Sequence, residues 1–119
     1  MTEVGGAPVD ADTRMMIGSA TKPMTTLMAA TKVDDGTITW DTPVVEILPA
    51  FRLADAEISE TVTLRNLFCA CSGVPRRDLE FIFNANDLTP EELIGTLADF
   101  ELTTGFGEVF QYSNQMAAA

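Results

Sequence analysis

Met24, Leu27 and Met28 recur at i, i+3 and i+4, which predicts a helix starting at or just after Ser19. Asp34-Asp35-Gly36 has the composition of a left-handed cap, so the helix stops at Gly36. Ahead of it, residues 1–12 are rich in Gly, Pro and Asp and read as a loop, and residues 13–18 as a short extended lead-in. Thr37-Ile38-Thr39-Trp40 alternates briefly and predicts a β-bridge or extended piece. Asp41-Thr42-Pro43 supplies a cap and first turn for a short helix that ends by Pro49. Thr63 caps a helix over 64–71, with Gly73 beyond it and Pro75 blocking its continuation. Thr89-Pro90-Glu91-Glu92 joins a capping box to a proline at the first helical position and opens a helix to about Phe100. Residues 105–112 carry strand-like aromatics and run into Ser113-Asn114. The pattern is mainly helical, and its long connections suit one lobe of something larger.

Composition narrows the class. Hydrophobic residues make up 46% of the 119, enough for a core, yet no apolar run is long enough to span a bilayer. No cationic start followed by an apolar stretch marks a signal peptide. The formal net charge of −11, scattered along the chain, disfavours nucleic acid as a partner, because phosphate binding needs a basic patch. Histidine is absent, which removes Ser-His-Asp and Cys-His schemes and the usual imidazole metal sites. Cys69 and Cys71 stand one residue apart, too close for an ordinary disulfide, and read as small buried residues near a helix end. The acid pairs Asp34-Asp35 and Glu91-Glu92 read as helix-end residues, since nothing converges on them.

Any hydrolase in this chain must therefore use a base other than histidine. Ser19-Ala20-Thr21-Lys22 offers one, because positions three apart share a helix face and bring hydroxyl and amine together. A serine hydroxyl is a poor nucleophile until a neighbouring base takes its proton. A lysine held in a low-dielectric cleft can serve as that base, and a helix N-terminus favours negative charge on the serine oxygen. Serine and lysine at this spacing are also common on solvated helix faces, so context decides. Tyr112 reads equally as a half-buried aromatic, and Asn114 as a turn residue.

That context is a resemblance. Ile17-Gly18-Ser19-Ala20-Thr21-Lys22 resembles the nucleophile box of the serine β-lactamase-like family, which includes class C β-lactamases, D-alanyl-D-alanine carboxypeptidases and related esterases. The run from Asp34-Asp35-Gly36 to Pro43-Val44 resembles the helix exit and turn that follow that box. Val62-Thr63-Leu64-Arg65-Asn66-Leu67 through Cys71-Ser72-Gly73-Val74-Pro75 resembles the next helix and its Ser-Gly-hydrophobic-Pro ending. Phe106-Gly107-Glu108-Val109-Phe110-Gln111-Tyr112-Ser113-Asn114 resembles the loop carrying the family's Tyr-x-Asn motif.

The resemblance implies an α+β fold of the β-lactamase/transpeptidase type, of which residues 1–119 form a partial domain, chiefly the helical lobe. It implies Ser19 as acylated nucleophile, Lys22 as its proton partner and Tyr112 as a phenol that relays protons. Asn114 would bind the substrate's amide side chain and the lysine. The partner is a small-molecule or peptide substrate, a β-lactam, D-amino peptide or carboxylic ester, with no metal or organic cofactor required. Two departures stand out. Ala70 occupies a position where the family often has histidine. The family's third motif, a Lys-Thr-Gly or His-x-Gly strand, is expected well after Asn114, where only Gln115, Met116 and three alanines follow. The chain thus reads as an internal fragment, inactive on its own. Two alternatives remain: a non-catalytic penicillin- or peptidoglycan-binding sensor domain, and a helical interaction module.

Overall fold

Six α-helices and two 3-10 turns, with no strand, form the described part of the chain; the computed structural model describes residues 4–84 and 87–119. The helices are α1 (Thr21–Asp34), α2 (Val44–Ile47), α3 (Ala56–Thr61), α4 (Leu64–Cys69), α5 (Asp78–Asn84) and α6 (Pro90–Gly95). Of the expected N-terminal loop, Met1, Thr2 and Glu3 lie outside the described residues.

The cap expected after α1 is a Schellman motif. Gly36, at φ +77°, donates to Val33 O at 3.1 Å and Thr37 donates to Lys32 O at 3.0 Å. Closing that motif commits the Thr37 amide, and Ile38 N–H also donates to Lys32 O at 3.4 Å, so of the bridge or extended piece expected over residues 37–40 no bridge forms there. The isolated bridge pairs Pro43 with Thr63 instead. Around it, Val44 N–H donates to Val62 O, Leu64 N–H to Thr42 O and Arg65 N–H to Trp40 O, at 2.8–3.0 Å. These bonds set the start of α2 beside the start of α4.

Two short helices lie in stretches where the pattern predicts only connections. α3 begins at Asp55, whose carboxylate accepts from Ile58 N–H at 2.9 Å. Its buried Ser59 accepts from Leu53 N–H at 2.8 Å and donates to Asp55 O at 2.6 Å. α5 carries Leu79, Ile82 and Phe83 at helical spacing, a signal present in the sequence, with all three exposed.

α4 stops two residues before its expected end because Ala70 turns left-handed at φ +56°. The carbonyls turned aside there are used: Ala70 O accepts from Gln111 N–H at 2.6 Å, and Cys71 O from Gly107 N–H at 2.7 Å. Gly73, at φ +78°, accepts at its carbonyl from Thr103 N–H at 3.0 Å, and a Cβ on it would lie 2.4 Å from Thr104 O. Residues 103–112 are therefore a loop strapped to residues 70–73, not the strand expected from their aromatics. α6 has the expected capping box: Glu92 N–H donates to Thr89 Oγ1 at 3.2 Å, and Thr89 N–H to Glu92 Oε2 at 2.8 Å. Gly95 weakens its end, and the final turn, Thr96–Asp99, tightens to 3-10.

The core lies among the connections and not on α1. Phe51, Val62, Val74 and Leu97 are fully buried, joined by Val44, Leu53, Leu67, Phe100 and Met116. α1 buries only Ala29, while Met24, Leu27 and Met28 remain 61%, 68% and 62% exposed.

Candidate functional site

Ser19 lies in a 3-10 turn, Gly18–Ala20, immediately before α1 rather than inside the helix. Gly18 adopts φ +54°, and Ala20 N–H closes the turn on Ile17 O at 3.2 Å. Side chains at i and i+3 eclipse in 3-10 geometry, so Ser19 still meets Lys22. Pro23 sits in the first turn of α1, where its missing N–H leaves no helical bond unmade.

The strapped loop brings Tyr112 and Asn114 to the same place. Tyr112 Oη donates to Ser19 Oγ at 2.9 Å. Lys22 Nζ donates to Ser19 Oγ at 3.4 Å and, more closely, to Asn114 Oδ1 at 2.7 Å. All four residues singled out in the sequence thus share one hydrogen-bonded cluster. Ser19 is exposed, and Lys22, Tyr112 and Asn114 are half-buried.

Positive charge gathers around the phenol. Lys22 Nζ lies 4.8 Å from the Tyr112 ring centroid and the Arg76 guanidinium 5.3 Å. The hydrogen bond with Lys22, then that with Ser19, holds the Tyr112 phenol below its ordinary value, with the charges of Lys22 and Arg76 adding to them. An apolar cavity of about 220 Å³ adjoins the cluster, with Lys22, Tyr112, Leu67, Phe68 and Phe110 among its walls.

Two residues of this neighbourhood carry no motif and were not singled out in the sequence. Asp78, the first residue of α5, accepts from Asn114 Nδ2 at 3.0 Å and from Arg76 Nε at 2.5 Å. The one sequence signal for them is the charged run Arg76-Arg77-Asp78 directly after Pro75. Cys69 is exposed, Cys71 half-buried, and both are free thiols, against the expected burial. Left-handed Ala70 between them turns their segment outward to serve the loop. No group of three or more His, Cys, Asp or Glu among the described residues could hold a metal ion. No described helix is long and apolar enough to cross a membrane.

The β-lactamase family model matches residues 2–117 of the 119. The chain belongs to the β-lactamase family. It is similar to penicillin-binding protein 4 of Amycolatopsis lactamdurans, 38% identical over 69 residues. That match covers 58% of this chain and 18% of the relative's length. No solved structure matches the chain significantly. Family and relative together support a serine-hydrolase type of protein, mostly helical over the described residues.

Proposed function

We propose that this chain carries the nucleophile and proton-transfer groups of a serine hydrolase acting on an amide or ester carbonyl, with an acyl-enzyme at Ser19. The observation supporting this is that Ser19 Oγ receives hydrogen bonds from both Tyr112 Oη and Lys22 Nζ. Ionising the phenol reverses the first bond, and the Ser19 proton then passes to Tyr112 as Oγ attacks the carbonyl carbon. The Lys22 ammonium beside the ring offsets the phenolate charge through this step. When the tetrahedral adduct collapses, Tyr112 returns that proton to the departing nitrogen or oxygen, leaving the acyl group as an ester on Ser19. Water repeats the sequence, giving its proton to Tyr112, and the ester bond to Oγ breaks as Oγ is reprotonated. Asn114 holds Lys22 through Oδ1 and orients the substrate's amide side chain. In this reading the 119 residues are the helical lobe of an α+β domain, and no metal or organic cofactor takes part.

The relative is named for penicillin binding, which favours a penicillin as probe and keeps a second reading in view. A sensor domain would take the acyl group at the same serine and keep it. Incubating the full-length protein with a penicillin and following its mass over time separates the two. A transient adduct with turnover is the hydrolase; an adduct that persists is the sensor. In either case Lys22→Ala slows adduct formation by about 10²- to 10⁴-fold, and an unchanged rate would remove Lys22 from the mechanism.

A further inference from the structure

Asn114 carries both a donor and an acceptor, and its usefulness to Lys22 depends on which faces inward. Its Oδ1 meets Lys22 Nζ at 2.7 Å, while its Nδ2 meets Asp78 Oδ1 at 3.0 Å. A carboxylate can only accept, and an ammonium can only donate. Turning the amide over would set oxygen against carboxylate and NH₂ against ammonium, two repulsions in place of two bonds. Asp78 therefore fixes the amide from the end opposite the lysine.

The other oxygen of the same carboxylate is also committed. Asp78 Oδ2 accepts from Arg76 Nε at 2.5 Å, and the Arg76 guanidinium lies 5.3 Å from the Tyr112 ring centroid. Arg76 is 62% exposed, so untethered it would spread over many rotamers in solvent. Asp78, at 28% exposure, is the more fixed of the pair and sits at the start of α5.

We infer that Asp78 is a positioning residue of this site, one carboxylate that orients the Asn114 amide toward Lys22 and tethers the Arg76 guanidinium over the Tyr112 ring. It acts through Asn114, which meets Lys22, and through Arg76, which lies over the Tyr112 ring. For its kinetic effect the inference rests on the reading of Ser19 as an acylated nucleophile; for its effect on Tyr112 it rests on the geometry alone.

The two halves are tested separately in the full-length protein. Acylation by a penicillin is compared in the wild type, Asp78→Ala, Asn114→Ala and the double variant. Each single change slows acylation by about 10-fold or more, and the double variant loses less than the product of the two losses. Losses that simply multiply would show that Asp78 does not act through Asn114. Asp78→Asn, close in shape, repeats the comparison should the alanine variant fold poorly. The second arm follows the titration of the Tyr112 ring by NMR. The charged groups facing the ring are Lys22 from α1 and Arg76 from the α4–α5 connection, with Asp78 behind Arg76. Deleting the Asp78 anion by itself would lower the titration point, whereas releasing Arg76 raises it. The inference requires Arg76→Gln to raise the titration point, and to raise it by less when Asp78 is already alanine; an equal rise in both backgrounds, or none in either, overturns the tether. A wild type that takes no acyl group at Ser19 would sink the catalytic reading while leaving this titration decisive. A wild type that is acylated at a rate unchanged in Asp78→Ala would sink the inference alone.

Discussion

Ser19 Oγ sits beside one cation, Lys22, and one phenol, Tyr112, and of these two hydrogen-bonding neighbours the phenol has its proton loosened by its surroundings. Tyr112 is held below the ordinary phenol value of 10.0 by its hydrogen bonds with Lys22 and Ser19 and by the nearby positive charge. A group depressed in this way is ionised earlier in the folded chain than in the unfolded one. Its contribution to stability is full above the ordinary phenol value and is lost as pH falls through the folded value. The rate of acylation has the same sense. It rises with pH through the depressed Tyr112 value and levels off above it. Tyr112→Phe removes that limb and lowers the plateau by about 10²- to 10⁴-fold. A Tyr112→Phe protein with an unchanged pH–rate profile would exclude the phenol from proton transfer. At this scale the sequence was most legible. Ser19 and Lys22 follow from spacing, and Tyr112 and Asn114 from their order in the family pattern. Asp78 was hidden because a carboxylate acting through another side chain leaves no spacing of its own.

Elements that carry strong end signals were read correctly: the Schellman end of α1 and the Thr89 capping box both follow from local chemistry. Elements shaped by distant contacts were not. The aromatics of residues 105–112 suit a strand, yet their amides are spent on Ala70, Cys71 and turns of their own. α3 was missed because six residues with no apolar stripe give no periodicity to read. Gly73 is the hinge of this arrangement, since it needs a left-handed backbone and leaves no room beside Thr104 O. Gly73→Ala costs at least about 1–2 kcal/mol from the left-handed conformation alone, before the 2.4 Å contact is relieved. Moving the loop would also shift Tyr112 from Ser19, so chemical denaturation and acylation should both register the change. A variant with normal stability and normal acylation would show that the loop is positioned by something else.

Across the whole molecule, packing is uneven. The radius of gyration is 16.7 Å, with extents of 54 × 35 × 25 Å, against about 13–14 Å for a compact chain of this length. Much of α1's apolar stripe faces outward, continued by the exposed Met15, Met16 and Ile17 ahead of the nucleophile turn. Patches of this kind favour association or loose packing. The 119 residues as an isolated chain should therefore bind a hydrophobic dye and melt without a sharp transition. A cooperative melt with no dye binding would contradict that picture. At the site the central claim is narrower, that Ser19 Oγ is the atom acylated. Intact-mass analysis of the full-length wild type and Ser19→Ala after incubation with a penicillin or an activated ester tests it most directly. The wild type should gain one acyl group, mapped by peptide mass to Ser19, and Ser19→Ala should gain none. An adduct of equal yield on Ser19→Ala would place the nucleophile elsewhere.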